Sequence, residues 1–345
     1  MRSPGIGSHP SALVTGGTGA VGPALVERLL HEGLRVRVLS RGAHPFPWPD
    51  GTVDVVSGDV GDRAVVRRAV DGVDWVFHLA AHLHAATAGE ALAPVFERVN
   101  VEGTRVVAEE AARAGVKRLV FFSTISVYGP TGREGADEDT PPRPDTLYGE
   151  TKLRAEDIVV RSAPGSGGLT TTVLRLAAVY GPRVRGNYER LAHALGRGWF
   201  VPPGRGLNRR TLVHESDVAQ AALLAAGSPV AAGRLYNVSD GRVHPLRDVL
   251  AAMAAALGRP APRVFVPLAL ARAGAGVGDL ILRATGREPR LAPLLAKYGE
   301  DVAVRAERIQ RDLGFRPDFD LDSGWRDALG RRETRASAGL GSAPR

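Results

Sequence analysis

Three features of the chain predict an α/β fold with a doubly wound parallel sheet. Through the first half, short apolar runs alternate with amphipathic stretches. A glycine-rich turn separates the first apolar run from the first helix-like stretch. The second half changes texture and reads as a smaller lobe placed over the carboxyl ends of the strands, where such sheets bind ligands.

In chain order, the runs at 12–15, 35–39, 53–56, 75–79 and 119–123 are strand candidates. Between them, 21–31, 62–70 and 96–114 carry apolar residues at helical spacing. A helix beginning near Tyr148 and a strand at 171–176 continue the pattern. After Tyr180, Gly and Pro become frequent and segments return to the sheet only near 211–238. The expected division is a first domain at 10–180, a substrate lobe mainly at 181–330, and a polar, small-residue-rich tail at 331–345 that is expected to be disordered.

At 44% hydrophobic and 24% charged residues, the composition is that of an ordinary globular chain. The absence of cysteine excludes disulfides and thiolate metal sites. His78, His82, His84 and His214 lack an accompanying carboxylate pattern, so no metal site is expected. Residues 1–10 have no apolar run, which argues against a signal peptide. The longest apolar stretch, 264–282, is interrupted by Arg272, Asp279 and several glycines, which argues against a membrane span. A cytoplasmic protein with no membrane partner is expected. The net charge of +8 comes without a nucleic-acid motif, so no nucleic-acid partner is expected either. One basic cluster, Arg183, Arg185, Arg190, Arg197, Arg205, Arg209 and Arg210, is either a solvated face or a site for an anionic substrate.

Directly after the first strand comes Thr15-Gly16-Gly17-Thr18-Gly19-Ala20-Val21-Gly22, and then a helix. Glycines there allow a tight turn and close approach of backbone to a pyrophosphate, with the helix N-terminus facing the phosphates. Gly16, Gly19, Ala20, Val21 and Gly22 are therefore cofactor candidates in a Rossmann domain. The second strand ends in Ser40-Arg41 where an acidic residue usually takes the ribose hydroxyls, which points to NADP and leaves NAD open. Asp59, after the third strand, is a candidate adenine contact.

Tyr148 and Lys152, at i and i+4, share one face of a helix. Hydride transfer at a carbinol carbon requires a proton to move on its oxygen. A neighbouring cation is expected to lower the Tyr148 phenol pKa enough for that role. The preceding segment, Ser123-Thr124-Ile125-Ser126, ends a strand and supplies hydroxyls for a substrate oxygen.

With these pieces assembled, the chain resembles the extended short-chain dehydrogenase/reductases, the NAD-dependent epimerase/dehydratase family, from about 13 to 329. The resemblance rests on the Gly-rich turn, Gly58-Asp59-Val60, His78-Leu79-Ala80-Ala81, Asn100-Val101-Glu102-Gly103-Thr104, Ser123-Thr124, Tyr148-x-x-x-Lys152, Tyr180-Gly181-Pro182 and Val213-His214. It implies Thr124, Tyr148 and Lys152 as catalytic residues. It adds Val60, Leu79, Ala80, Ala81 and Asn100 to the cofactor site, and a homodimer through helices at about 96–114 and 148–161.

Ile125 and Ser126 stand where the family's sugar 4,6-dehydratases carry Asp-Glu, so dehydration by that route is not expected. The stretches from Val179 to Tyr188 and from Asn208 to Val213 are similar to bacterial enzymes acting at C4 of nucleotide sugars. That similarity implies substrate contacts from His82, Ser126, Asn187 and Arg210. Ala178, where many such enzymes have Asn, departs from the pattern. The segment from Val266 through Gly286-Arg287-Glu288-Pro289 instead looks like the 3β-hydroxysteroid dehydrogenase branch, in which a hydrophobic helix covers an apolar ketone. Three readings stay open: a nucleotide-sugar C4 epimerase or ketoreductase, a ketoreductase or dehydrogenase of an apolar ketone, and a non-catalytic NADP-sensing protein.

Overall fold

The computed structural model describes residues 10–339 except 43–47, 50, 84–91, 164–167, 185, 199 and 286–290; side chains are described to 330, without 293 and 294. His84, Arg185 and the Gly286–Pro289 part of the steroid-like segment thus lie outside the described residues.

Seven parallel strands form the main sheet. They are β1 (Ser11–Thr15), β2 (Arg35–Ser40), β3 (Val53–Ser57), β4 (Trp75–His78), β5 (Arg118–Thr124), β6 (Thr170–Leu176) and, later in the chain, β10 (Arg234–Val238). Their order is β3-β2-β1-β4-β5-β6-β10, so the winding reverses between β1 and β4. A reversal of this kind opens a crevice at the carboxyl ends of the two strands.

Alternation along the strands assigns side chains to two cores. Ala12, Val14, Val36, Val38, Phe77, Val120, Phe122 and Leu174 share one with helix α1 (Gly22–His31) and helix α7 (Glu215–Gly227). Leu13, Leu39, Val76, Leu119, Phe121 and Val173 share the other with α2 (Arg63–Val70), α4 (Gly103–Arg113) and α5 (Leu147–Ser162). Both faces of the sheet are covered, as an all-parallel sheet requires.

The expected helix at 96–114 is divided. A short helix α3 (Ala93–Phe96) runs into a wide π-helical turn, Glu97–Glu102, and then into α4. Such turns cluster at functional sites, and this one carries Asn100.

Beyond β6 the lobe contains small sheets. Strand β7 (Ala178–Tyr180) pairs with β9 (Leu212–His214), and β8 (Arg209–Arg210) pairs with β11 (His244–Pro245). So of the expected return at 211–238, only β10 joins the main sheet. Helices α6 (Asn187–Gly196) and α8 (Leu246–Ala256) share a third core with Tyr180, Trp325 and Leu329. The helices α9 (Leu268–Ala284), α10 (Leu291–Gly299), α11 (Glu307–Leu313) and α12 (Leu321–Gly339) complete the chain. Because α12 reaches Gly339, residues 331–339 are helical where a disordered tail is expected from the sequence. Trp325, Ala328 and Leu329 anchor the helix in the third core. The Arg, Glu and Ala residues that follow are good helix formers and continue it.

The glycine-rich turn is fixed by sterics. A Cβ on Gly22 would lie 2.3 Å from the Gly17 carbonyl oxygen, and neither backbone segment can give way. Gly22→Ala is therefore expected to cost about 1–3 kcal/mol of stability and to weaken dinucleotide binding. Urea denaturation and cofactor titration check both.

Candidate active site

Strand β1 leads directly into Gly16, which has a φ of +71° and lies hard against the Ala80 backbone. A Cβ at this position would stand 2.8 Å from the Ala80 amide nitrogen, so only glycine fits. Gly19 N–H donates to the Gly16 carbonyl (2.9 Å) and closes the turn. Gly19 and Ala20 are exposed, and Val21 is half-buried. Helix α1 begins with no side-chain cap and no acidic residue in its first turn. An uncapped N-terminus at the sheet's crevice is a fitting cradle for a dinucleotide pyrophosphate. Gly16, Gly19, Ala20, Val21 and Gly22 would hold it.

Ser40 is buried at the end of β2 with its hydroxyl 3.2 Å from that of Thr18, while Arg41 is exposed. Asp59 accepts from the Gly61 amide at 2.8 Å, so its carboxylate shapes a turn. Val60 is buried against Gly103 and offers a ligand only its backbone. Leu79, Ala80 and Ala81 leave β4 half-buried at the lip of the crevice.

Beneath them lies a fully buried network. The Thr104 hydroxyl donates to the Asn100 carbonyl (2.6 Å), so towards His78 Nε2 (3.0 Å) it must accept. That places the imidazole proton on Nε2 and makes Nδ1 the acceptor of the Thr15 hydroxyl (2.7 Å), which in turn accepts from Ala80 N–H (3.3 Å). Burial, reinforced by the Lys152 charge, pushes His78 down to about 3, so it is neutral.

Asn100 is expected from the sequence to touch the cofactor. Its amide oxygen instead accepts from His82 N–H (2.7 Å), while its NH₂ donates to the His82 carbonyl (3.2 Å) and the Thr151 hydroxyl (3.2 Å). Asn100 thus ties the loop after β4 to α5.

On α5, Thr146 caps the N-terminus by accepting from Gly149 N–H (3.1 Å). Gly149 has no side chain because the Ser126 carbonyl oxygen stands 2.6 Å from where its Cβ would be. This contact brings the Thr124–Ser126 segment against the helix turn that carries Tyr148. Thr124 Oγ1 accepts from Ser126 N–H (3.2 Å) and donates to the Ser126 hydroxyl (3.2 Å). The Tyr148 ring packs edge-on to Phe96 (centroids 6.5 Å), and Phe96 packs edge-on to His82 (5.0 Å). Among the described residues, the buried Nε2 of His82 has no hydrogen-bond partner.

Lys152 is 1% exposed, with its ammonium 4.0 Å above the Phe121 ring centroid. Burial lowers its pKa to about 7, while Glu156 one turn further on favours the cation. Burial likewise pushes the Tyr148 phenol above its ordinary value. Burial alone sets this direction, and the lowering expected from Lys152 is not among its causes. Tyr148 stands as a neutral phenol, the form that donates a proton.

Glu156 does not stand out in the sequence. Its carboxylate receives Arg175 at 2.6 and 3.0 Å and also accepts from the Ser123 hydroxyl. Both partners are 5% exposed. The i+4 spacing from Lys152 is the available signal; the pairing with Arg175 on β6 is not visible from local pattern.

The basic cluster disperses. Arg183 pairs with Glu215 (3.2 Å) and Glu27 (2.5 Å), and Arg190 donates to Asn187 (2.6 Å). Arg210, the expected pyrophosphate contact, donates to the carbonyls of Tyr298 (2.8 Å), Lys297 (3.3 Å) and Glu300. It caps the C-terminus of α10, a natural place for a cation.

A glycine-rich turn opening onto a helix N-terminus, with a Tyr-x-x-x-Lys helix in which Lys152 is buried and Tyr148 half-buried, marks an NAD-dependent oxidoreductase or epimerase. The model of the NAD dependent epimerase/dehydratase family matches residues 12–239, and the chain belongs to that family. It is 31% identical over 322 residues to the 3 beta-hydroxysteroid dehydrogenase/Delta 5-->4-isomerase of Mycobacterium tuberculosis (89% of this chain, 86% of that protein). It is 27% identical over 320 residues to the N-acetyl-alpha-D-glucosaminyl-diphospho-ditrans,octacis-undecaprenol 4-epimerase of Escherichia coli O157:H7 (92% and 93%). Among solved structures, MoeE5 in complex with UDP-glucose and NAD superposes with a TM-score of 0.74 at 29% identity (95% and 99%).

The role expected of Lys152 from the sequence needs the cation, a form lost as pH rises through about 7. Removing the Glu156 carboxylate withdraws support from that cation. Glu156→Gln is thus expected to move the alkaline fall of kcat/KM to lower pH. Leaving Arg175 uncompensated should also cost about 3–5 kcal/mol of stability. A pH–rate profile beside thermal melts separates the two effects.

Proposed function

We propose that the chain transfers a hydride at a carbinol or ketone carbon, C4 of a nucleotide sugar, as a 4-epimerase or 4-ketoreductase. The observation that carries this reading is the convergence of Thr124, Tyr148 and Lys152 at the carboxyl end of β5, beside the α1 cradle. When bound, a nicotinamide cofactor supplies the hydride acceptor or donor. Thr124 turns its hydroxyl from Ser126 to the reacting oxygen. Tyr148, as the neutral phenol, gives its proton to that oxygen in the reductive direction and takes it back in the oxidative one. Lys152 holds positive charge beside the phenol and steadies the phenolate left behind. Phe96 and Phe121 keep water from the pair.

The sugar reading draws support from His82 Nε2, a buried polar atom available to a substrate hydroxyl. Asn187, at the start of α6, and Ser126 are the further substrate contacts. Arg210 would exchange neutral carbonyl partners for a diphosphate, a stronger charge-assisted pairing. Ser40 and Arg41, with no carboxylate at the end of β2, favour NADP over NAD. A homodimer through α4 and α5 belongs to the same proposal.

A second reading, reduction or oxidation of an apolar ketone, is favoured by the exposed apolar face of α9 and by the likeness to the mycobacterial steroid enzyme.

Tyr148→Phe is expected to lower turnover by at least about 100-fold, the usual scale of a lost general acid, with cofactor affinity retained. A non-catalytic sensor would keep its cofactor-dependent behaviour in this variant. Denaturing the purified protein and weighing any released nucleotide tests the direction. Retained NAD marks an epimerase, whereas an empty protein that binds NADPH more tightly than NADH marks a reductase. Arg41→Ala should narrow that preference, and unchanged NADPH affinity would remove Arg41 from the site.

A further inference from the structure

Six of the eleven exposed large apolar side chains among the described residues lie between 264 and 291: Val264, Leu270, Val277, Leu280, Ile281 and Leu291. Apolar residues scattered singly need no explanation, but a cluster does. At 100° per residue, Leu270, Val277, Leu280 and Ile281 fall within an arc of about 100° on α9. All four are at least 59% exposed. The opposite side of α9 is the one that packs, with Asp279 buried and Gly278 close to Leu291 of α10.

Among the described residues of this hairpin, the charge left without an ion pair is basic. Arg263, Arg272 and Arg283 are exposed. The acid of α9, Asp279, is consumed as a cap, accepting from the Leu291 and Ala292 amides at 2.8 and 2.9 Å. Glu300 is paired with Lys297 at 3.1 Å. By the same count Arg283 and Arg272 project about 60° and 80° beyond Leu280, on the flank between the apolar arc and the packed side, and among the described residues neither has an acidic partner.

We propose that the α9–α10 hairpin docks on an anionic lipid bilayer, with α9 lying in the interface plane. An amphipathic helix with bulky aliphatic residues on one face and arginines at its border suits that position: the aliphatic side chains enter the acyl boundary while the guanidinium groups reach the phosphates. Among the described residues, no helix is long and apolar enough to cross a membrane, so the hairpin lies on the surface. This departs from the expectation of no membrane partner, which rests on the absence of a span. The docked element is tied to the catalytic helix, because Lys297 of α10 pairs with Asp145, three residues before Tyr148.

The test is co-sedimentation of the full-length protein with phosphatidylglycerol-rich vesicles and with pure phosphatidylcholine vesicles, at low and high salt. Binding to the anionic vesicles, weakened by salt, is expected. Leu280→Glu with Ile281→Glu should reduce it by roughly tenfold or more, and Arg272→Glu with Arg283→Glu should abolish the preference for anionic lipid. All four positions are exposed, so thermal melts and far-UV circular dichroism of the variants should match the wild type and report intact folding. Failure of the wild-type protein to sediment overturns the proposal. So does binding that survives the Leu280/Ile281 change, since charge alone then accounts for it. If that change instead dissociates an oligomer in light scattering and leaves vesicle binding unaltered, the face belongs to a second copy of the chain.

Discussion

The buried pair of Glu156 and Arg175 sets the position on which the chemistry depends. An ion pair this deep is stable only when its remaining polar atoms are matched, and Glu156 meets that need through the Ser123 hydroxyl. Three elements are locked by it: α5 through Glu156, β5 through Ser123 and β6 through Arg175. Arg175 is held further by the face of the Tyr128 ring, 4.8 Å away, and the Tyr128 hydroxyl donates to Asn237 on β10 at 2.9 Å. The roll of α5 about its axis is therefore fixed at its middle. One and two turns earlier, Lys152 and Tyr148 inherit that orientation.

A second lock acts from the other side. The chain of hydrogen bonds from Ala80 through Thr15, His78 and Thr104 to Asn100 joins the carboxyl ends of β1 and β4 to the π-helical turn. Asn100 carries the connection on to α5 through Thr151. The glycine-rich turn and α5 are thus registered against each other by buried neutral groups, which hold geometry without adding charge to the crevice. Lys152 and Tyr148 then feel mainly desolvation. Both are driven towards their neutral forms, and the charges that restore a working lysine are Glu156 and whatever the bound ligands bring.

The C-terminal lobe shows how one residue can suit two partners. Arg210 caps α10, and the same guanidinium is the proposed diphosphate ligand of the sugar reading. Besides the carbonyl of Arg209, its partners are the carbonyls of residues 297, 298 and 300, so Arg210 fastens the end of the exposed hairpin to β8. The apolar arc of α9 gives this lobe six of the eleven exposed large apolar side chains among the described residues, counting Val264 and Leu291 beside it.

The sequence by itself determined the sheet, the phosphate turn and the Tyr148–Lys152 pairing, because each follows from a local rule. Glycine sterics forbid side chains at Gly16 and Gly22, period-two alternation sorts Leu13 from Val14, and the helical period puts Tyr148 and Lys152 on one face. The tertiary structure decided what depends on residues far apart in the chain. Glu156 finds Arg175 nineteen residues on, Asn100 closes on His82 eighteen residues back, and Arg210 reaches Glu300 ninety residues away. No local pattern separates an arginine that binds phosphate from one that caps a helix, since both need the same five N–H donors. The apolar run at 264–282 was equally ambiguous: only packing could decide whether its face is buried, and α9 turns that face outward.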